Sequence, residues 1–308
     1  MSKKLLLTGG CGFVGANLLP LLLERGFEVR VLDNLSKGSA QSLPDQVELI
    51  EGDIRDRDKV REALQGVSRV IHLAAFGSVV DSVEDPIANF ENNVVGTFTL
   101  LDECRLAGVG KVVFSSTGGA LMGNKEPPVD ETTVPAPISP YGASKLCCEA
   151  YCSAMAGSYG MDVVALRFAN VVGPHSLHKK GVITNFIKAI MDGKSLTIFG
   201  DGTSTRDYLY VDDLCDGILR GLDYDKAGFS YFHLASGKET SLNRLVEIVS
   251  DIAGGDIEVN YEPARKGEVD RNFANYEKAH EELGFAPKVS MEEALQRTWD
   301  WYQENYQP

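Results

Sequence analysis

The stretch KLLLTGGCGFVG, residues 4–15, constrains the fold more than any other part of the chain. A short apolar strand at 4–9 runs into Gly9, Gly12 and Gly15, and a helical-period segment follows over about 13–25. Glycines at three-residue spacing between a strand and a helix permit a tight turn, a close approach by a phosphate, and close packing of helix on strand. The N-terminus of that helix then offers free N–H groups and positive potential to the phosphate. A purely structural turn uses the same residues, so the glycines alone decide little. The next strand, EVRVLD (28–33), ends on Asp33, 24 residues after Gly9. A carboxylate there accepts hydrogen bonds from ribose hydroxyls and repels a 2′-phosphate. Strand, glycine loop, helix, strand and acid together predict a dinucleotide site that prefers NAD to NADP. After VELIEGD (47–53), Asp53 and Ile54 are placed to flank an adenine, although Asp53 serves equally well as a cap for the helix that follows.

The same alternation continues through the first half of the chain. A short helix lies around 57–64, a strand at 69–75, a long helix at about 86–107, a strand at 111–116, a helix from about 140 to 157 and a strand at 162–168. Alternating strands and helices predict an α/β fold, a doubly wound parallel sheet of the Rossmann type. After about residue 170, short strands and glycine-bearing loops suggest a smaller α/β C-terminal part that binds substrate. We expect residues 1–170 to form the dinucleotide domain, with a returning segment near 206–223, and residues 171–308 to supply mainly the substrate part. A net charge of −14 argues against partnership with nucleic acid or an anionic membrane surface. The longest apolar run, Leu18–Leu23, is too short to span a bilayer, and the N-terminus lacks a signal-peptide pattern. The six cysteines show no paired metal spacing, and His175 and His178 lack a third ligand, so no metal site is expected. A reducing, cytoplasmic setting fits such cysteine usage.

SPYGASK, residues 139–145, raises a separate question. Ser139 and Pro140 read as an ordinary helix start, with Tyr141 and Lys145 on one face. Beside a dinucleotide the pair acquires chemistry. A phenol of pKa about 10 is a poor base at neutral pH, and positive charge from Lys145, a helix N-terminus and an oxidised nicotinamide favours phenolate. A hydroxyl to hold the substrate oxygen is available from Ser115, Ser116 or Thr117 at the end of the fifth strand.

The ordered set TGGCGFVG, VLDN, GDIRD, HLAA, NNVVGT, FSSTGGA, YGASK and RFANVVGP resembles the extended short-chain dehydrogenases/reductases, specifically the NAD-dependent epimerase/dehydratase branch and its UDP-glucose 4-epimerases. The likeness continues through LTIFGDGTSTRDYLYVDD and EPARKGEVDRNFAN, nearly the whole length. It implies Tyr141 as catalytic acid/base, Lys145 as its partner and holder of the nicotinamide ribose, and Thr117 as the hydroxyl residue. The loop is one residue longer than the common form, so Ser116 stays a rival. Cofactor contacts are implied at Gly9, Gly12, Phe13, Val14, Asp33, Asn34, Asp53, Ile54, Leu73, Ala74, Ala75, Asn93, Ser115 and Phe168. Substrate contacts are implied at Asn170, Val182, Phe186, Thr197, Ile198 and Phe199, with Arg206, Arg265 and Glu268 gripping the diphosphate and ribose of a UDP-sugar.

The resemblance therefore implies a nucleotide-sugar 4-epimerase with recycled NAD. UDP-glucuronate epimerases and decarboxylases, other nucleotide-sugar reductases or dehydratases, and a non-catalytic NAD-binding sensor are the alternatives. Dehydratases carry an Asp–Glu pair where this chain reads STGGALMG. Met122 replaces a common pocket-wall tyrosine, while His175 and Asp270 stand where arginine is frequent. Asn272 falls near a position that gates N-acetyl groups. By analogy the protein is a homodimer joined through the helices near 86–107 and 140–157.

Overall fold

A computed structural model of the chain describes residues 4–264 and 270–307. Its central sheet contains β1 (Lys4–Thr8), β2 (Glu28–Asp33), β3 (Glu48–Glu51), β4 (Arg69–His72), β5 (Lys111–Thr117), β6 (Val163–Phe168) and β7 (Phe229–Leu234). All pairings are parallel, in the spatial order β7-β6-β5-β4-β1-β2-β3. In β1, Leu5, Leu6 and Leu7 are all fully buried, as an unbroken apolar run in a strand covered on both faces should be. Side-chain alternation sends Leu5 and Leu7 into one core and Leu6 into the other. Helices Phe13–Glu24 and Val211–Asp223 close the first core. Helices Arg57–Ala63, Gly96–Ala107 and Pro140–Tyr159 close the second. The strand order reverses between β1 and β4, and ligands in such sheets lie in the crevice beyond the carboxyl ends at that point.

Two features differ from the sequence reading. The strand around 231–236, expected in the irregular second part, begins at Phe229 and pairs with β6 along its full length. Phe232 and Leu234 drop into the first core at 0% exposure, and that burial draws the strand onto the sheet edge. The returning segment is thus longer than 206–223. The helix expected at 86–107 also changes pitch: Pro86–Phe90 and Gly96–Ala107 are α-helical, while Glu91–Val95 winds as a π-helix. Such wide turns are rare and gather at functional sites; here it buries Asn92 and Asn93.

Among the described residues, the remainder of the chain packs mainly on the first core of the sheet. Ile183, Phe186, Leu196, Ile198, Leu245 and Tyr302 join the first core of the sheet. Short parallel pairs, Asn170–Val172 with Tyr208–Tyr210 and Leu196–Phe199 with Val259–Glu262, frame this part. Thr205–Arg206 lies between Thr240–Ser241 and Arg271–Asn272. Among the described residues no helix is long and apolar enough to cross a membrane.

Candidate active site

The glycine loop is built around two backbone constraints. Gly9 has φ +71°, and a Cβ there would lie 2.6 Å from the Ala74 backbone nitrogen, because the ends of β1 and β4 meet at that point. A Cβ on Gly15 would lie 2.5 Å from the Gly10 carbonyl oxygen. Gly12 precedes the Phe13–Glu24 helix, whose N-terminus has no side-chain cap. Asp33 reaches over the loop: Oδ2 accepts from the Cys11 N–H at 3.0 Å and Oδ1 from the Leu35 N–H at 2.9 Å. Gly38, which the sequence reading passed over, lies against the same loop; a Cβ there would fall 2.0 Å from the Cys11 carbonyl oxygen. Asp53 is not the helix cap, since Asp56 accepts from the Asp58 and Lys59 N–H groups. Instead Arg55 grips both Asp53 oxygens at 2.9 and 2.8 Å and Asn34 donates at 3.3 Å; these bonds hold its carboxyl below the usual range.

Leu73, Ala74 and Ala75 follow β4 at the crevice, and Asn93 fixes that turn from behind. Its Oδ1 accepts from the Phe76 N–H at 2.8 Å, while Nδ2 donates to the Phe76 carbonyl and to Ser144 Oγ at 3.2 and 3.0 Å. The wide π turn aims this buried side chain at both partners.

Tyr141 and Lys145 stand at the start of the Pro140–Tyr159 helix, where the Ser139 hydroxyl accepts from the Gly142 N–H at 3.2 Å. The Thr117 side chain lies close to the Tyr141 hydroxyl and favours its ionised form. Lys145 Nζ donates to the Ser115 carbonyl at 2.7 Å and sits 4.8 Å from the centre of the Phe114 ring. The Tyr141 N–H donates to Ser82 Oγ at 3.2 Å, tying in the short helix Val79–Glu84. Ser116 is directed elsewhere: its hydroxyl donates to Glu149 Oε1 at 2.5 Å. Thr117, not Ser116, is therefore the hydroxyl beside the phenol.

Electrostatics differ from the sequence expectation. Burial pushes the Tyr141 phenol up to about 12, and the Thr117 side chain offsets only part of that. Burial also pushes the Lys145 ammonium down to about 8, against the pull of Cys148, Cys152 and Glu149. The polypeptide alone thus keeps Tyr141 as a phenol, because desolvation outweighs the neighbouring charge.

Asn170, Val182, Phe186, Thr197, Ile198, Phe199 and Arg206 line one cleft of about 570 Å³. Arg206 donates to the Thr205 carbonyl at 2.8 Å, and among the described residues no carboxylate pairs with it. Arg265 and Glu268 lie outside the described residues. The cleft also holds Lys179, Lys180, Ser204 and Tyr208, which the sequence reading missed; two lysines directly before an amphipathic helix were the available signal. Lys179 Nζ lies 4.8 Å over the Phe13 ring, linking the cleft to the glycine loop. Met122 is no pocket wall: it is fully buried with Leu121, Val129, Ala235 and Ala274. His175 packs against Trp301, with ring centres 4.9 Å apart and the planes tilted by 49°, and is not part of the cleft lining. Among the described residues no group of acids, histidines and cysteines is arranged to hold a metal.

A glycine cradle under an uncapped helix, an acid at the end of β2 and a neighbouring Thr–Tyr–Lys set are what a nicotinamide-dependent enzyme requires. The chain belongs to the NAD dependent epimerase/dehydratase family, whose model matches residues 5–234. UDP-glucose 4-epimerase of Mycolicibacterium smegmatis is 36% identical over 315 residues, covering 99% of this chain and 100% of that one. The crystal structure of a UDP-glucose 4-epimerase from Thermotoga maritima with UDP-glucose is similar at a TM-score of 0.95 and 37% identity, covering 99% of this chain and 100% of that one. That of the Thermus thermophilus enzyme in complex with NAD is similar at 0.92 and 36%, covering 98% and 99%.

Proposed function

We propose that the protein is an NAD-dependent 4-epimerase of UDP-sugars in the glucose/galactose series. The observation that carries this reading is the grouping of Thr117, Tyr141 and Lys145, with Thr117 acting on the Tyr141 phenol and Lys145 held on the carbonyl of Ser115. The cradle fits the cofactor: a side chain at Gly9 would strike backbone, and Gly12 leaves the helix N-terminus open to a pyrophosphate. In the proposed enzyme the two oxygens of Asp33 accept from ribose hydroxyls and Lys145 holds the nicotinamide ribose. In this reading residues 1–170, with the later strand and helix that return to the sheet, hold the cofactor, and residues 171–308 mainly hold the nucleotide sugar.

Tyr141 removes the proton of the sugar 4-hydroxyl and later returns it to the same oxygen, while the Thr117 hydroxyl orients that oxygen. NAD bound in the cradle supplies the hydride acceptor and donor at C4 and, when oxidised, a positive charge that favours the Tyr141 phenolate. Arg206, with no carboxylate partner among the described residues, suits the diphosphate, with Arg265 as the second guanidinium. The diphosphate tether lets the sugar turn and present its other face. Gly118 and Gly119 follow Thr117 where a dehydratase needs two carboxylates, so water loss is not supported. Retention of all three hydroxyl and amine groups argues against a non-catalytic sensor.

Asn272, small and packed against Gly119, supports acceptance of N-acetylated sugars as well. Val83, Ile87 and Phe90 are 62%, 70% and 54% exposed, and Tyr151 lies 41% exposed on the Pro140–Tyr159 helix; these side chains support a homodimer through that surface. Six free cysteines fit a reducing, cytoplasmic setting. The test is incubation with a panel of UDP- and dTDP-sugars, with products resolved and NADH absorbance followed. Interconversion of 4-epimers without net NADH supports the reading; accumulating NADH or a dehydrated product overturns it. Activity confined to UDP-glucose and UDP-galactose would remove the N-acetyl extension, and sedimentation as a monomer would remove the dimer.

A further inference from the structure

Ser116 stands between the two residues that hold the catalytic pair. Ser115 gives its carbonyl to Lys145 at 2.7 Å, and the Thr117 side chain lies close enough to the Tyr141 phenol to favour its ionised form. Strand alternation turns the Ser116 side chain to the opposite face from its neighbours, where it donates to Glu149 Oε1 at 2.5 Å. Glu149 belongs to the same helix as Tyr141 and Lys145, one turn beyond the lysine. Its two oxygens are gripped by Arg167 Nε and Nη2 at 3.0 and 2.7 Å. Arg167 is the register partner of Ser116 in the next strand. Ser116, Glu149 and Arg167 are 3%, 4% and 4% exposed, and none of them lines the cleft.

These contacts close a loop. The end of β5 is joined to the catalytic helix at Lys145, at Tyr141 and, from the other face, at Glu149, while Arg167 anchors Glu149 to β6. Charge-assisted bonds in a buried setting are short and strong, and act together as a network. We propose that Ser116, Glu149 and Arg167 form a positioning latch that sets the spacing of Thr117 from Tyr141 and of the Ser115 carbonyl from Lys145. The proposal rests on the catalytic reading above. Ser116 then acts on the chemical step through its neighbours, without touching the sugar.

Ser116→Ala is the informative variant, because it releases the latch and leaves the Glu149–Arg167 pair intact. Glu149→Gln strands a buried guanidinium, so its single variant serves only as the reference for the double variant. The expected result for Ser116→Ala holoenzyme is a kcat reduced by up to about 100-fold, the scale of a misplacement near 1 Å. KM for the UDP-sugar should stay within about twofold. Adding Glu149→Gln should lower kcat by less than the product of the two single effects. Wild-type kcat in Ser116→Ala, or a KM that rises as kcat falls, would overturn the latch. Crystal structures of the two holoenzymes read it without turnover: longer Lys145–Ser115 and Thr117–Tyr141 contacts support it, and unchanged contacts overturn it. A wild-type enzyme that interconverts no UDP-sugar would instead overturn the catalytic reading, so the two failures are distinguishable.

Discussion

Gly9 and Gly12 belong to one loop, yet substitution by alanine should expose two separate functions. At Gly9 the backbone is left-handed, φ +71°, and the new Cβ would stand 2.6 Å from the Ala74 nitrogen and 2.8 Å from its Cα. The left-handed conformation costs an alanine about 1–2 kcal/mol, and overpacking against atoms that cannot rotate away adds about 1–3 kcal/mol. A stiffer unfolded chain returns only about 0.4–1 kcal/mol. The net loss for Gly9→Ala is therefore about 1–5 kcal/mol. At the low end of roughly 2 °C per kcal/mol for a chain of this size, Tm falls by about 2–9 °C. At Gly12 the backbone is ordinary, with φ −82° and ψ 179°. The only atom near a new Cβ is the Gly9 carbonyl oxygen, at 3.3 Å. Gly12→Ala should thus melt with the wild type, or about 1–2 °C above it through the unfolded-state term. Its methyl group, however, stands where the pyrophosphate must approach the helix N-terminus, so NAD affinity should fall at least about tenfold, or about 1.4 kcal/mol. Thermal unfolding of both variants without added cofactor, beside NAD titration by calorimetry, measures the two effects. Equal melting of Gly9→Ala and Gly12→Ala, or wild-type NAD affinity in Gly12→Ala, would refute the division of labour.

Thr117→Ala removes the hydroxyl that lowers the Tyr141 pKa, while burial and Cys148 continue to raise it. The phenol then ionises at still higher pH, so the rising limb of the kcat profile should move upward; an unmoved limb would count against Tyr141 as the base. Arg206→Ala should raise KM for the UDP-sugar far more than it changes kcat, and a pure kcat effect would take Arg206 out of diphosphate binding. Burial pushes His72 and His233 down to about 3, so both are neutral in the folded protein at pH values where the unfolded chain, at about 6.5, takes up protons. Their contribution is complete above about pH 6.5 and declines toward pH 3, by about 1.4 kcal/mol per histidine per pH unit. Burial raises the Glu131 and Asp207 carboxyls, which act in the opposite sense in every variant. His233→Leu should therefore flatten the loss of stability in denaturant titrations between pH 6.5 and 5. An unchanged slope would show that His233 is not held neutral.

What the sequence made legible was local. Strand, glycines, helix and acid lie within residues 4–33, and Ser139 to Lys145 span two helical turns, so their geometry follows from backbone rules that operate over a few residues. What escaped it depends on contacts between distant segments. Two adjacent hydroxyls, Ser116 and Thr117, are equivalent on paper; a single step along a strand turns one to each face. Only the fold reveals that Glu149 and Arg167, 33 and 51 residues further on, occupy the face toward Ser116. Met122 reads as a pocket residue by its place after the glycines, but Val129, Ala235 and Ala274 from other segments enclose it together with Leu121. The strand at 229–234 reads as part of a second unit until Phe232 and Leu234 are seen in the core of the first. The phenol of Tyr141 makes the same point in energetic terms. Lys145, four residues away, is visible in the sequence and argues for phenolate, whereas the burial that reverses the sign is a sum over the whole fold. In the proposed mechanism the charge that favours the Tyr141 phenolate therefore comes from the oxidised cofactor bound beside it rather than from the polypeptide.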